Sequence, residues 1–338
     1  MTLEEYKIKI LEIQKALELN MCDFFDCEFS PQREEILEVF KFYNEALLNH
    51  SYYGIVPAYI YINNYTNVNA FATYYRDKQK YSVSINIGTI IWLIQTFKLN
   101  HCIVNNTNIR LFQIIEPNID TSINNLMYQT ALHYTFYHEM AHLIQNSTFL
   151  ELNLEEIPRP DGYLERKHVL ELDADEFSAL CLGTHLLQYV EKIFDNRLNK
   201  PIMEGMLVLM CIPIMLYLTS FNSFDYEIYF EENTHPHPVI RLFVIVLTVV
   251  QYCNESLEKE DKGFTVDHKE IIYRSLALSS QVETICFNRD KISQFIINLR
   301  DNTAGVIDYV HKFEELRKKD ASLSVNKWNE HVTLRGDI

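Results

Sequence analysis

The sequence predicts an α+β protein, mostly helical, with a small antiparallel sheet ahead of a long central helix. Three observations predict it. Gly (8) and Pro (9) are scarce in 338 residues, which argues against a turn-rich all-β chain. Clean strand-period alternation occurs only before residue 90. Helical periodicity with few breakers fills most of the rest, and 48% hydrophobic content supplies a large core.

Taken in order, residues 3 to 19 read as an amphipathic helix. A second helix is expected over 31–48, with Ser30 capping it ahead of Pro31. Residues 58–63 alternate, Tyr59 and Tyr61 against Ile60 and Ile62, which is a strand signal. From Tyr81 to Ile87 the alternation is cleaner. Tyr81, Val83, Ile85 and Ile87 form one face and Ser82, Ser84 and Asn86 the other, as in a half-buried strand. A helix from Thr89 to Lys98 should follow. The long helix is expected over 121–145, capped by Thr121 or Ser122. Pro158, Pro160 and Gly162 make 146–162 a loop, and a further helix should start near Leu164 and run to about Val190. The remainder reads as helical, broken over 222–238. This order divides the chain into an N-terminal helical extension (1–50), a central domain (51–255) and a C-terminal helical extension (256–338).

Composition narrows the function. A formal net charge of -16 repels phosphate backbones and argues against nucleic acid as a partner. Seven scattered cysteines, none in a CxxC pair, read as reduced thiols of a cytoplasmic protein. The N-terminus lacks the apolar block of a signal peptide. The apolar runs 205–218 and 242–250 are shorter than the roughly 18–20 residues that span a bilayer. They read as buried helices rather than transmembrane segments, with peripheral membrane contact left open.

The chemistry concentrates at His138-Glu139-Met140-Ala141-His142, an HExxH sequence in a stretch free of Pro and Gly. On a helix, residues four apart share a face, so His138 and His142 can present two imidazoles to one zinc ion. Glu139 would then act as general base on a water activated by that ion. Against this stands an ordinary helix bearing two incidental histidines, so a third ligand is needed. Glu171 and Asp175, four apart on the following helix, supply one: Glu171 as ligand and Asp175 orienting a ligand imidazole. Asp175, Asp173 and His168 are the reserve candidates for that ligand, and a solvated acidic face is the bland alternative. Downstream, His235-Pro236-His237-Pro238 leads into an apolar helix that carries Arg241. An imidazole and a cation there could stabilise a developing oxyanion; a Pro-stiffened helix entry is the competing reading.

In this order, HExxH, ExxxD (Glu171, Asp175) and HPxxxxR (His235 to Arg241) resemble the motifs of gluzincin metallopeptidases of the HtpX, Ste-type CAAX-protease and BepA kind. Asn69-Ala70-Phe71-Ala72 and the strand Tyr81 to Ile87 resemble the NAFA segment and edge strand of the same family. The resemblance covers about 55–245 and implies a zincin-like domain binding one zinc ion, with Glu171 as third ligand and His235 and Arg241 at the reacting carbonyl. It also implies a protein or peptide substrate pairing with the strand at 81–87, where Asn69, Ser82, Ser84 and Asn86 would line the substrate site. The chain departs from the membrane members in lacking their long transmembrane helices, and Ala141 stands where the family usually has Gly. Its short gap from His142 to Glu171 is closer to soluble peptidases resembling ImmA and IrrE, and it also looks like the phage-exclusion protease Lit. The expectation is a soluble zinc endopeptidase in a regulatory or phage-defence role. The alternatives are an inactive zincin-like binding protein, a metal-free helical interaction protein and a membrane-associated peptidase.

Overall fold

Helix α1 (Leu3–Leu17) opens the chain on a capping box. Thr2 Oγ1 accepts from the Glu5 N–H, and the Thr2 N–H donates to Glu5 Oε2 at 2.7 Å. Its buried residues, Tyr6, Ile10, Ile13 and Leu17, recur at helical spacing. In this computed structural model, residues 1–104, 109–148, 165–220, 227–231, 233 and 235–335 are described. Helix α2 (Arg33–Asn49) begins two residues later than expected. Ser30 forms a turn instead of the cap: its Oγ accepts from the Gln32 N–H, and its carbonyl from the Arg33 N–H. Phe40 on α2 meets Tyr6 edge-on at 5.0 Å.

The sheet departs from expectation. Strands β1 (Ala58–Asn63), β2 (Ala70–Tyr75) and β3 (Lys80–Asn86) lie in the order β1-β3-β2. β3 runs antiparallel to β2 but parallel to β1, so the sheet is mixed rather than antiparallel. β3 is therefore the central strand and not an edge. Its polar alternation did not mark a solvent face: Ser82 and Asn86 are 0% exposed and Ser84 is 4% exposed. The outer side of β1 is partly closed, because Phe25 N–H bonds the Ile62 carbonyl and Asn64 N–H bonds that of Asp23. β2 has no further partner strand among the described residues.

Asn86 leads directly into α3 (Ile87–Leu93), which continues as a π turn to Lys98. Gly88 is obligatory at this junction: a Cβ would lie 2.1 Å from the Thr66 carbonyl oxygen. Two short helices follow, α4 (His101–Val104) and α5 (Arg110–Ile115). Helix α6 (Ile123–Thr148) carries the HExxH sequence, and Ser122 Oγ caps it by accepting the Asn125 N–H. The helix runs three residues past its expected end, and the rest of the expected loop to Gly162 lies outside the described residues. The remaining helices are α7 (Glu165–Phe194), α8 (Lys200–Leu218), α9 (Pro238–Lys259), α10 (His268–Phe287), α11 (Lys291–Lys318) and α12 (Ser324–Arg335).

These elements group into two compact units that do not follow chain order. One holds Met1–Ile94 together with the end of α6 from Thr135 and the C-terminal residues from Ser322. It contains the sheet and α1 to α3. The other holds Gln95–Tyr134 and the described residues from Glu165 to Ala321, with α7 against α9 and α8 against α10.

Helices α8 and α9 extend beyond the apolar runs read from the sequence. By length and composition both could cross a membrane, but 83% of the apolar stretch of α8 is buried inside the structure, as for a core helix.

Candidate metal centre

From Tyr134 to Gln145, every residue of α6 is buried except Glu139 and His142. These two lie three apart and share a face. The helix is thus enclosed by core on all other sides and opens only where the HExxH sequence carries Glu139 and His142. Hydrophobic burial fixes the helix: Phe136, Met140, Ala141, Leu143 and Ile144 are fully buried.

His138 and His142 bring their Nε2 atoms to 3.2 Å, with the rings at 90°. Two nitrogens bound to one zinc at a tetrahedral angle stand about 3.3 Å apart. The Nδ1–H of His142 donates to Gln145 Oε1 at 2.9 Å, leaving Nε2 as its lone-pair atom. The potential ligand atoms of His138, His142 and Glu171 all lie within 4.8 Å of one another, so these three residues could hold a metal ion. Two imidazoles and a carboxylate form a donor set suited to a catalytic first-row metal.

Glu171 is placed by its own helix and by α9. On α7 it precedes Asp175 by one turn, and both carboxylates face Arg241. The Arg241 guanidinium grips Asp175 with two bonds, Nε to Oδ2 and Nη2 to Oδ1, each 2.8 Å. Its Nη2 also reaches Glu171 Oε2 at 3.7 Å and donates to the Tyr134 hydroxyl at 2.9 Å. That hydroxyl in turn donates to Asp175 Oδ1 at 2.5 Å. Tyr134 lies one turn before His138 on α6, and Asp175 one turn after Glu171 on α7. The Tyr134–Asp175 bond, with the grip of Arg241, therefore holds α7 at Asp175, one turn beyond Glu171.

Burial would lower the Arg241 pKa, but Asp175, Tyr134 and Glu171 more than offset this and hold it charged. Burial raises the Tyr134 hydroxyl well above its usual range, so it stays protonated and can donate.

The sequence candidates separate on the structure. His235 stands 3.4 Å from Glu171, Nε2 to Oε1, with its side chain 47% exposed. His237 instead turns inward and is fully buried, its Nδ1 accepting the Val239 N–H at the start of α9. Arg241 is a structural partner of both acidic residues. Asp175, expected to orient an imidazole, has its carboxylate engaged by Arg241 and Tyr134. Of the reserve ligands, Asp173 is buried two positions from Glu171 and so on a different face of α7, and His168 bonds Tyr309 and the Asn233 carbonyl. Asn69 opens β2, its carbonyl accepting from Asn86 N–H and Thr89 Oγ1, whereas Ser82, Ser84 and Asn86 are enclosed in the sheet. Tyr134 and Gln145 were missed; their only signal was helical spacing from His138 and His142.

An acid-sensitive fold is expected from the burial of His237. Burial pushes its pKa down from 6.5 to about 3. A histidine whose folded pKa lies below its unfolded one costs stability as pH falls through the unfolded value, up to about 4 kcal/mol by pH 3. Protonation also removes the lone pair that caps α9. His237→Asn, whose amide oxygen can still cap, is expected to move the acid-unfolding midpoint downward in a pH titration followed by circular dichroism.

Compared with family models, curated proteins and solved structures, the chain matches none of them.

Proposed function

We propose that this chain is a zinc-dependent endopeptidase of the gluzincin kind. The observation that carries the reading is that Glu139 and His142 alone break the burial of α6 between Tyr134 and Gln145, next to a His138, His142 and Glu171 group able to hold one ion. A structural metal site is closed by its protein ligands, whereas hydrolysis needs a position open to water and substrate. A carboxylate beside three neutral or anionic ligands is the arrangement general-base hydrolysis requires.

Zinc in this site would supply an acidified water and polarise the substrate carbonyl. Glu139 would take the proton from that water and deliver it to the leaving amine. Arg241 and Tyr134, through Asp175, hold α7 so that Glu171 presents its carboxylate without reorganising. His235, the most exposed of these groups, is the candidate contact to the reacting carbonyl.

Substrate pairing is better assigned to β2 than to the central β3. The Asn86 N–H to Asn69 carbonyl bond sets the antiparallel alternation, so Phe71 and Thr73 bond inward to β3. The backbone groups of Ala72 and Tyr74 then face away from the sheet, where an extended peptide can add as a further strand; the Ala70 N–H is already taken by Asn69 Oδ1. The scattered cysteines support a cytoplasmic location, and the extent of the helical additions with the likeness to Lit supports a regulatory or phage-defence role.

The reading is tested by metal content. Wild type is expected to bind one zinc per chain, and Glu171→Ala to lose it or bind it at least about 10-fold more weakly. Elemental analysis of purified protein checks this, and unchanged zinc in Glu171→Ala would remove Glu171 from the ligand set.

A further inference from the structure

The stretch just before His235 is held at three points, all on α7 or α11. Phe230 packs on Tyr309, with ring centroids 5.8 Å apart. It also sits on Gly305, where a Cβ would come within 2.9 Å of the tip of its ring, so the ring packs closely on the helix there. Glu231 pairs with Lys312 at 2.6 Å, and Lys312 also pairs with Glu165 at 2.9 Å. The Asn233 carbonyl accepts a bond from His168 Nε2 at 2.5 Å.

His168 is the junction of this arrangement. It is fully buried one turn before Glu171, and its Nδ1 bonds the Tyr309 hydroxyl. A neutral imidazole that donates from Nε2 must accept at Nδ1, so Tyr309 donates and fixes the tautomer that holds Asn233. Burial lowers the His168 pKa, which agrees with a neutral ring. Docking of α11 on α7 has a separate ion pair, Arg317 with Glu176 at 2.8 Å, and the turn after α11 adds Asp320 with Arg166 at 2.6 Å. The His168–Asn233 bond is therefore not what joins the two helices; it seats Asn233, two positions before His235.

We infer that His168 is a positioning residue, which with Tyr309 holds the backbone at Asn233 so that His235 stands beside Glu171. Helix α11 is thereby part of the functional site and not an appendage. The inference deepens the peptidase reading and rests on it for its kinetic consequence.

The test uses the full chain carrying His168→Phe, which fills the space and removes both bonds, and His168→Gln, which keeps a donor near the Nε2 position. Hydrogen exchange in the peptide 228–233 is expected to speed up at least about tenfold in His168→Phe, with zinc content unchanged, and to be largely restored in His168→Gln. In peptide hydrolysis, His168→Phe should lower kcat about as much as His235→Ala with KM changed less than about twofold. The double variant should then be little worse than either single one. A general loss of structure would not produce that non-additivity. Should His168→Phe fail to fold, Tyr309→Phe, which keeps its ring 4.5 Å from Phe313, carries the same expectation at smaller size. Unchanged exchange, additive losses or no recovery with Gln would overturn the inference. If wild type hydrolyses no peptide, the peptidase reading fails, and the exchange measurement alone then sustains or overturns the seating of Asn233.

Discussion

Glu139→Gln is expected to leave zinc content unchanged and to reduce peptide hydrolysis by at least about 100-fold. The side chain keeps its size and its place on the open side of α6, and it is absent from the group that could hold the ion. What disappears is the capacity to accept a proton. Metal analysis and turnover of a casein or peptide-library substrate, measured on the same preparation, separate the two effects. Retained turnover with bound metal would remove Glu139 as the base.

The second large effect concerns stability. Arg241→Leu is expected to destabilise the fold by about 3–5 kcal/mol, read from urea unfolding. Asp175 is 0% exposed and would keep its charge with two of its hydrogen bonds gone. Glu171 would lose the neighbouring cation, and Tyr134 the bond it accepts from Arg241. Breaking one side of a buried pair costs more than removing both, so adding Asp175→Leu should recover part of the loss. A loss below about 1 kcal/mol would mean that the pair contributes little, as most exposed pairs do.

The parts legible in the sequence were those whose signal is local. HExxH on a breaker-free run placed His138, Glu139 and His142 on one helix, and the following helix with Glu171 and Asp175 was equally plain. β1 and β3 were found because their alternation is short-range. The parallel pairing of β1 with β3 was not, since nothing in Ala58–Asn63 or Lys80–Asn86 encodes which neighbour each takes. β2 is not legible as a strand because Ala70-Phe71-Ala72-Thr73-Tyr74-Tyr75 has no clean polar alternation, and once it pairs, β3 becomes central. Buried Ser82 and Asn86 misled for the same reason: a polar residue enclosed by a sheet looks in sequence like one facing water. Tyr134 and His168 act through partners 41 and 141 positions away in the chain, a distance no periodicity reaches.

The unit that contains His138 and His142 draws on Met1–Ile94, on the end of α6 and on residues from Ser322 onward. A ribosome delivers those pieces at widely separated times. The sheet and α1 to α3 can form early, but their last portion emerges only after α11 has been made. Maturation of the histidine pair therefore waits for residues from Ser322 onward, so a nascent chain would carry the motif long before it carries the finished surroundings of that pair.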